Sequence, residues 1–274
     1  MSAVLVRTRM FAACGLAILV AASLRVLCSA PQATASTGRG DPALIADLVA
    51  ANRILAGEGI FDGFGHVSVR DSRDPNRYYL SRSLAPALVT AADIVELDLD
   101  SNASAKGVAL YTERFIHGQI YRARPDVKAI VHDHSPALIP FSVSSIRLRP
   151  VSHTAGFIGD GVPVFDIRAA AGMTDMLVSN PDRARALAAA LGAHAAVLMR
   201  GHGVTVVGST IPIAVGRSIY LERNAMLQAQ AIALGGAVAY LDPEEARQIV
   251  ASGENGGYLR AWELWKRKAM ATAK

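Results

Sequence analysis

No cysteine occurs after residue 28. The two that exist, Cys14 and Cys28, both fall in the first 30 residues, so the remainder has no disulfide, no thiolate nucleophile and no cysteine ligand for a metal. No cluster of lysine and arginine interleaved with aromatics follows, which leaves nucleic-acid binding without support. Internal repeats are absent, as is low-complexity sequence beyond a short polar run, TASTGRGDP, at 34–42. With 51% hydrophobic and only 19% charged residues, the chain is too apolar for disorder, and its 274 residues suffice for one large domain.

What is present begins with a segment unlike the rest. MSAVLVRTR carries positive charge without acid, MFAACGLAILVAASL is an apolar core, and Cys28-Ser29-Ala30 offers small residues for cleavage. Residues 1–30 therefore read as a secretory signal peptide removed near Ala30, with export to the periplasm or medium and no stable membrane association afterwards. The alternative is an uncleaved anchor, although the apolar run is shorter than the roughly 20 residues a spanning helix needs. Arg7-Thr8-Arg9 is not a twin arginine. Loss of Arg7, Arg9 and Arg25 leaves 25 basic residues against 23 acidic, so a net charge of +5 becomes +2. The basic character belongs largely to the leader.

A linker at 31–42 precedes the first helix, which Asp41-Pro42 opens and Gly57 and Gly59 end. HVSVR (66–70), YYLSR (78–82) and IVELDLD (94–100) alternate as strands. Residues 112–124 change to helical spacing and stop before Pro125, and VKAIVHDH follows as a strand. PVFDI (163–167) predicts a strand, 181–192 a helix, and AAVLMRGHGVTVVG (195–208) two strands meeting at a Gly-His-Gly turn. Pro212 opens a long helix to Gly235, Asp242-Pro243 opens another, and 258–268 reads as a closing amphipathic helix with Trp262 and Trp265 on one side. The sum is a mixed sheet flanked by helices in one α/β or α+β domain.

Three of the seven histidines stand out. His132 and His134 are one residue apart, which on a strand puts both rings on one face, and His202 sits between two glycines that allow a tight turn. Three neutral imidazoles leave a divalent ion with open positions, the count of a catalytic site, while a satisfied polar edge and a turn residue would explain the same three. Glu113 opens the helix that leads directly into the histidine strand, so antiparallel packing brings it toward His134. A carboxylate that offsets the helix dipole is the plainer explanation. His117, one turn later, can orient Glu113 or pair with it.

ERFIHGQIYRARPDVKAIVHDHSP together with VLMRGHGVTVVG resembles the class II aldolase/adducin family, in order from about Ala43 to Gly236. For enzymes of that family the resemblance implies an α/β/α sandwich of class α/β, one Zn²⁺ or Mn²⁺ per chain on His132, His134 and His202, and Glu113 as acid/base. It places the catalytic domain at 43–236, with a C-terminal helical extension at 237–274. The segments FGHVSVR, LSRSLAPALVT and LYTERF depart from the phosphate cradle of the family's sugar-phosphate aldolases, and DGFGHVSVR, SRSLAP and ERFIHG are similar to its decarboxylase branch. That similarity implies a lyase that decarboxylates a hydroxy- or keto-substituted carboxylic acid and stores the electron pair as a metal-stabilised enolate. His66, Arg82 and His153 become candidates for substrate binding, and Arg114 and Arg200 lie near enough to pair carboxylates.

Three other readings stay open at this point: an aldolase acting on a sugar-derived substrate, a non-catalytic adducin-like assembly module, and a metal-binding protein without catalysis. The resemblance also implies a homotetramer with sites at subunit boundaries. The many-sided apolar 211–235 helix and the stripe of Tyr258, Trp262 and Trp265 give separate reasons to expect subunit contact.

Overall fold

The computed structural model describes residues 40–159 and 161–271. The leader at 1–30 and nearly all of the linker at 31–42 lie outside the described residues. Asp41 caps the first helix, α1 (Pro42–Gly57), by accepting the amide of Ala43 at 2.9 Å. Then come β1 (His66–Arg70), β2 (Arg77–Ser81), β3 (Ile94–Asp98), α2 (Phe115–Ala123), β4 (Ala129–Asp133) and α3 (Ile139–Val143). The remainder is β5 (Val164–Phe165), α4 (Ile167–Ala171), α5 (Pro181–Leu191), β6 (Ala196–Met199), β7 (Gly203–Gly208), α6 (Ile211–Ala233) and α7 (Pro243–Ala271).

The seven strands form one sheet in the order β3-β2-β1-β4-β7-β6-β5. All neighbours are antiparallel except β5 with β6, so the sheet is mixed. Each face is covered. Val67, Val69, Val131, Leu198 and Val204 pack toward α1, α6 and α7, while Tyr78, Leu80, Ile130 and Val197 pack toward α2 and α5. Two apolar layers around one sheet make the α/β/α sandwich that the resemblance implies.

Period-2 alternation then decides which side each functional residue takes. β1 pairs with β4 so that His66 lies opposite His132 and Ser68 opposite Ile130. His66, Ser68 and His132 consequently share the face that α2 covers. Central strands buried on both faces place these three side chains where water does not compete for their polar atoms.

Several local expectations are corrected. The residues before α2 are not its first turn: Thr112–Arg114 form a 3₁₀ turn in which Glu113 has φ −92° and ψ 15°. His134 falls just past the end of β4 and not on it. The two C-terminal helices expected from the sequence follow one another directly in α7, separated by a kink at Gly253, whose φ of +123° is not helical. The aromatic stripe of α7 faces its own chain. Tyr258, Trp262 and Trp265 are buried; Tyr258 stacks on Tyr220 of α6 at 5.6 Å between centroids, and Trp265 meets the same ring tilted at 5.8 Å. These rings fasten α7 to the domain and offer no free area to a second subunit. Within α6, Ile213, Ile219 and Leu221 are likewise covered inside the chain, and only the later turns expose Met226 and Leu227. No helix among the described residues is long and apolar enough to cross a membrane.

Candidate metal centre

Four side chains from three parts of the fold meet at one end of the sheet. Glu113, His132, His134 and His202 each offer one ligand atom, and these atoms all lie within 4.8 Å of one another. His132 and His134 come from the end of β4, His202 from the turn joining β6 to β7, and Glu113 from the turn before α2. Glycine makes the approach possible. Gly201 has φ +64°, which lets the chain reverse, and a Cβ on Gly203 would stand 2.0 Å from the Asp133 carbonyl oxygen. Only a residue without a side chain lets β7 come this close to the histidine strand.

The hydrogen bonds behind the rings set their tautomers. His132 Nδ1 lies 3.0 Å from the Val204 carbonyl and His202 Nδ1 3.1 Å from the Met176 carbonyl. A carbonyl can only accept, so each Nδ1 carries the hydrogen and each Nε2 keeps its lone pair. His132 Nε2 is buried and has no hydrogen-bond partner. His134 Nε2 stands 3.1 Å from His202 Nε2, two nitrogens facing each other across the same small space. Glu113 Oε1 accepts the Val178 amide at 2.7 Å, which leaves Oε2 turned inward, 3.3 Å from His202 Nε2 and 3.5 Å from His132 Nε2. An orphaned buried lone pair, convergent nitrogens and an adjacent carboxylate fit a divalent cation bound by imidazole.

The electrostatics agree. Burial disfavours the Glu113 carboxylate, yet His132 and His202 beside it hold its pKa well below the ordinary range. His134 is pushed down to about 4 by burial and by His132 and His202, so its ring is neutral at neutral pH and its nitrogen lone pair is free to bind a cation. For His202, burial lowers the pKa but the neighbouring Glu113 carboxylate outweighs it, so the pKa rises: Nε2 takes up a proton readily, and a bound cation would displace that proton.

The cluster opens into a cleft of about 620 Å³ lined by Phe64, His66, Tyr111, Met176 and Leu177 among others. His66 is 4% exposed and its ring lies 5.1 Å from that of His132 and 4.7 Å from Tyr111. The structure does not bring Arg82 here; its Nε bonds Asp93 at 2.7 Å. His153 is exposed at the start of a 3₁₀ turn, His153–Ile158, that packs on α6 and α7, and it does not line the cleft. Arg114 donates to the carbonyls of Ser101 and Tyr111, and Arg200 pairs with Asp166 at 3.0 Å. His117 neither orients nor pairs with Glu113. Its two nitrogens are taken by His66 and Ser68, each at 2.6 Å.

Sequence reasoning missed Ser68 and Tyr121, which continue that buried chain, and Val178, Met176 and Val204, which act through backbone groups that no side-chain pattern announces.

An α/β/α sandwich with this cluster, in a chain whose relatives include decarboxylases and an aldolase, defines an enzyme of the lyase class with a metal-binding group. Residues 46–229 match the profile of the Class II Aldolase and Adducin N-terminal domain, and the chain belongs to this family. It is 34% identical over 238 residues to decarboxylase tropJ of Talaromyces stipitatus, spanning 78% of this chain and 90% of that protein. It is 30% identical to a 3,4-dihydroxyphthalate decarboxylase of Arthrobacter keyseri, spanning 77% and 88%. Among solved structures, an L-fuculose 1-phosphate aldolase from Glaciozyma antarctica superposes with a TM-score of 0.68 at 27% identity, covering 84% of this chain and 89% of the other.

Proposed function

We propose that the protein is a divalent-metal-dependent decarboxylase of a hydroxy- or keto-substituted carboxylic acid. One observation carries this reading: three imidazoles and a carboxylate converge at a cleft whose lining, among the described residues, includes no lysine or arginine. A sugar phosphate calls for cations or a cradle of backbone amides, and Arg82, Arg114 and Arg200 are all engaged elsewhere. Phe64, Tyr111, Met176 and Leu177 instead offer apolar walls suited to a flat acid. A substrate carboxylate placed against such walls loses hydration without gaining a counter-charge from this chain, which favours its departure as CO₂. The likeness to two decarboxylases at 30% identity or more supports the same side.

His132, His134 and His202 would hold the ion, Zn²⁺ or Mn²⁺, one per chain. Bound there, it would supply Lewis-acid stabilisation for the electron pair left when the carbon-carbon bond breaks. Glu113 handles the proton. The Val178 amide pins Oε1, so Oε2 is the oxygen that meets the substrate. Since its neighbours hold it ionised, Glu113 must collect a proton, from a substrate hydroxyl or from water, before it returns one to the reacting carbon.

Aldol cleavage of a sugar-derived substrate is the second reading, favoured by the likeness to the L-fuculose 1-phosphate aldolase. A panel of hydroxy and keto acids with added Zn²⁺ or Mn²⁺, read as CO₂ release, separates the two. Decarboxylation yields CO₂, and aldol cleavage yields an aldehyde without it.

Two features of the mature protein complete the proposal. The leader is removed near Ala30 during export, and mass spectrometry of the exported protein reads the new terminus. The chain assembles as a tetramer with its sites at subunit boundaries; Phe64, 68% exposed at the cleft, and Met226 and Leu227 on α6 provide apolar surface for this. His153 then serves a neighbouring site, so mixing the inactive variants Glu113→Gln and His153→Ala restores activity. A fully active monomer by light scattering contradicts the assembly.

A further inference from the structure

One buried group of polar residues is left unused by this chemistry. His66 and Ser68 are two apart on β1 and share a face, and His117 and Tyr121 are one turn apart on α2, which covers that face. They form a continuous chain. His66 Nδ1 meets His117 Nε2 at 2.6 Å, His117 Nδ1 meets Ser68 Oγ at 2.6 Å, and Ser68 Oγ meets the Tyr121 hydroxyl at 2.8 Å. The Tyr121 hydroxyl also lies 3.4 Å from the Lys128 carbonyl, to which it can donate. None of the four side-chain-bearing residues is more than 4% exposed.

Hydrogens can run through such a chain in either direction, and the ends decide which. A carbonyl oxygen never donates. If every donor points toward Lys128, four hydrogen bonds form: His66 to His117, His117 to Ser68, Ser68 to Tyr121, and Tyr121 to the carbonyl. With the direction reversed, the last of these is lost and three remain. The longer set puts the hydrogen of His66 on Nδ1 and leaves Nε2 bare. His66 lines the cleft, and with Nδ1 committed to His117 the nitrogen available to a ligand is Nε2. His66 is not part of the metal cluster, whose ligand atoms come from Glu113, His132, His134 and His202.

We propose that His66 accepts a hydrogen bond from a substrate hydroxyl through this bare Nε2, and that His117, Ser68 and Tyr121 are positioning residues that keep its hydrogen on Nδ1. The proposal rests on the cleft being the substrate site. It adds a requirement: the acid must carry a hydroxyl hydrogen at that place, and an analogue lacking it leaves a buried acceptor unpaired.

The test uses the full-length protein loaded with zinc, with ¹⁵N-labelled histidine. The expected spectrum shows His66 Nε2 as an unprotonated, pyridine-like nitrogen and Nδ1 as protonated. Ser68→Ala and Tyr121→Phe should move Nε2 toward the average of the two tautomers, whereas Ser68→Thr, which keeps a hydroxyl, should not. In parallel, calorimetry compares binding of 3,4-dihydroxyphthalate with that of phthalate. The preference for the hydroxylated probe should fall about tenfold in His66→Phe and in Ser68→Ala at unchanged zinc content. A protonated Nε2 in the wild type overturns the proposal, as does a tautomer unmoved by Ser68→Ala and Tyr121→Phe, or a preference unchanged in His66→Phe. None of these readouts needs turnover, so a protein that releases no CO₂ from any acid contradicts the function proposed above without deciding this one.

Discussion

Gly203 faces the Asp133 carbonyl so closely that a Cβ would stand 2.0 Å from its oxygen. The contact joins β7 to Asp133, the residue between His132 and His134, so backbone packing and the placement of the histidine cluster are one feature.

Gly203→Ala is therefore expected to act on metal and fold together. Backbone cannot yield as a flexible side chain does, and the strands must part at the point where His132, His134 and His202 converge. We expect a loss on the order of 3 kcal/mol in stability and a fall in metal content, read by chemical denaturation and elemental analysis. A stable variant with full metal content contradicts this.

Removing a ligand should empty the site. His132→Ala, His134→Ala and His202→Ala each leave two imidazoles, too few for tight binding, so about one divalent ion per chain in the wild type falls toward none. Elemental analysis checks each variant.

Much of this centre was legible in the sequence. The spacing of His132 and His134, the glycines around His202 and the nearness of Glu113 to the histidine strand are local patterns, and local patterns survive folding. What the sequence hides is long-range register. His66 meets His117 across 51 positions because β1 pairs with β4 and α2 lies over both. Arg82 looked free near a motif and is held by Asp93, eleven residues on. The aromatic stripe of α7 looked like subunit surface, since an amphipathic helix tells only that one face is covered and not by what; Tyr220 covers it within the chain.

That covering has a cost when removed. Trp262 and Trp265 are buried at 3% and 5% exposure, and truncating a buried tryptophan leaves a cavity. Trp265→Ala is expected to lower stability by about 3–5 kcal/mol. Denaturation with urea measures this, and a change under 1 kcal/mol would mean that α7 is held by other contacts, about as an ordinary surface substitution.

The buried His117 makes a pH prediction. Its pKa in the folded protein is about 3, against 6.5 for an unburied ring, so between these values the unfolded chain binds more protons. Stability from His117 is complete above pH 6.5 and is lost as pH falls toward 3. Asp133, raised by burial to about 7, works in the opposite direction, so the effect is read against His117→Gln, which does not titrate. The stability advantage of the wild type over this variant should shrink by roughly 2 kcal/mol between pH 7 and pH 5. An advantage independent of pH contradicts the assignment.

The most direct test of the whole account compares the wild type with Glu113→Gln for CO₂ release from hydroxy acids, each metal-loaded and after chelation. The amide keeps the shape of the side chain and cannot exchange a proton. We predict metal-dependent CO₂ release by the wild type, abolished by the chelator and recovered on adding Zn²⁺ or Mn²⁺. For Glu113→Gln we predict full metal content with turnover lower by roughly 10² or more. Equal turnover in the two proteins, or CO₂ release that survives removal of the metal, would contradict it.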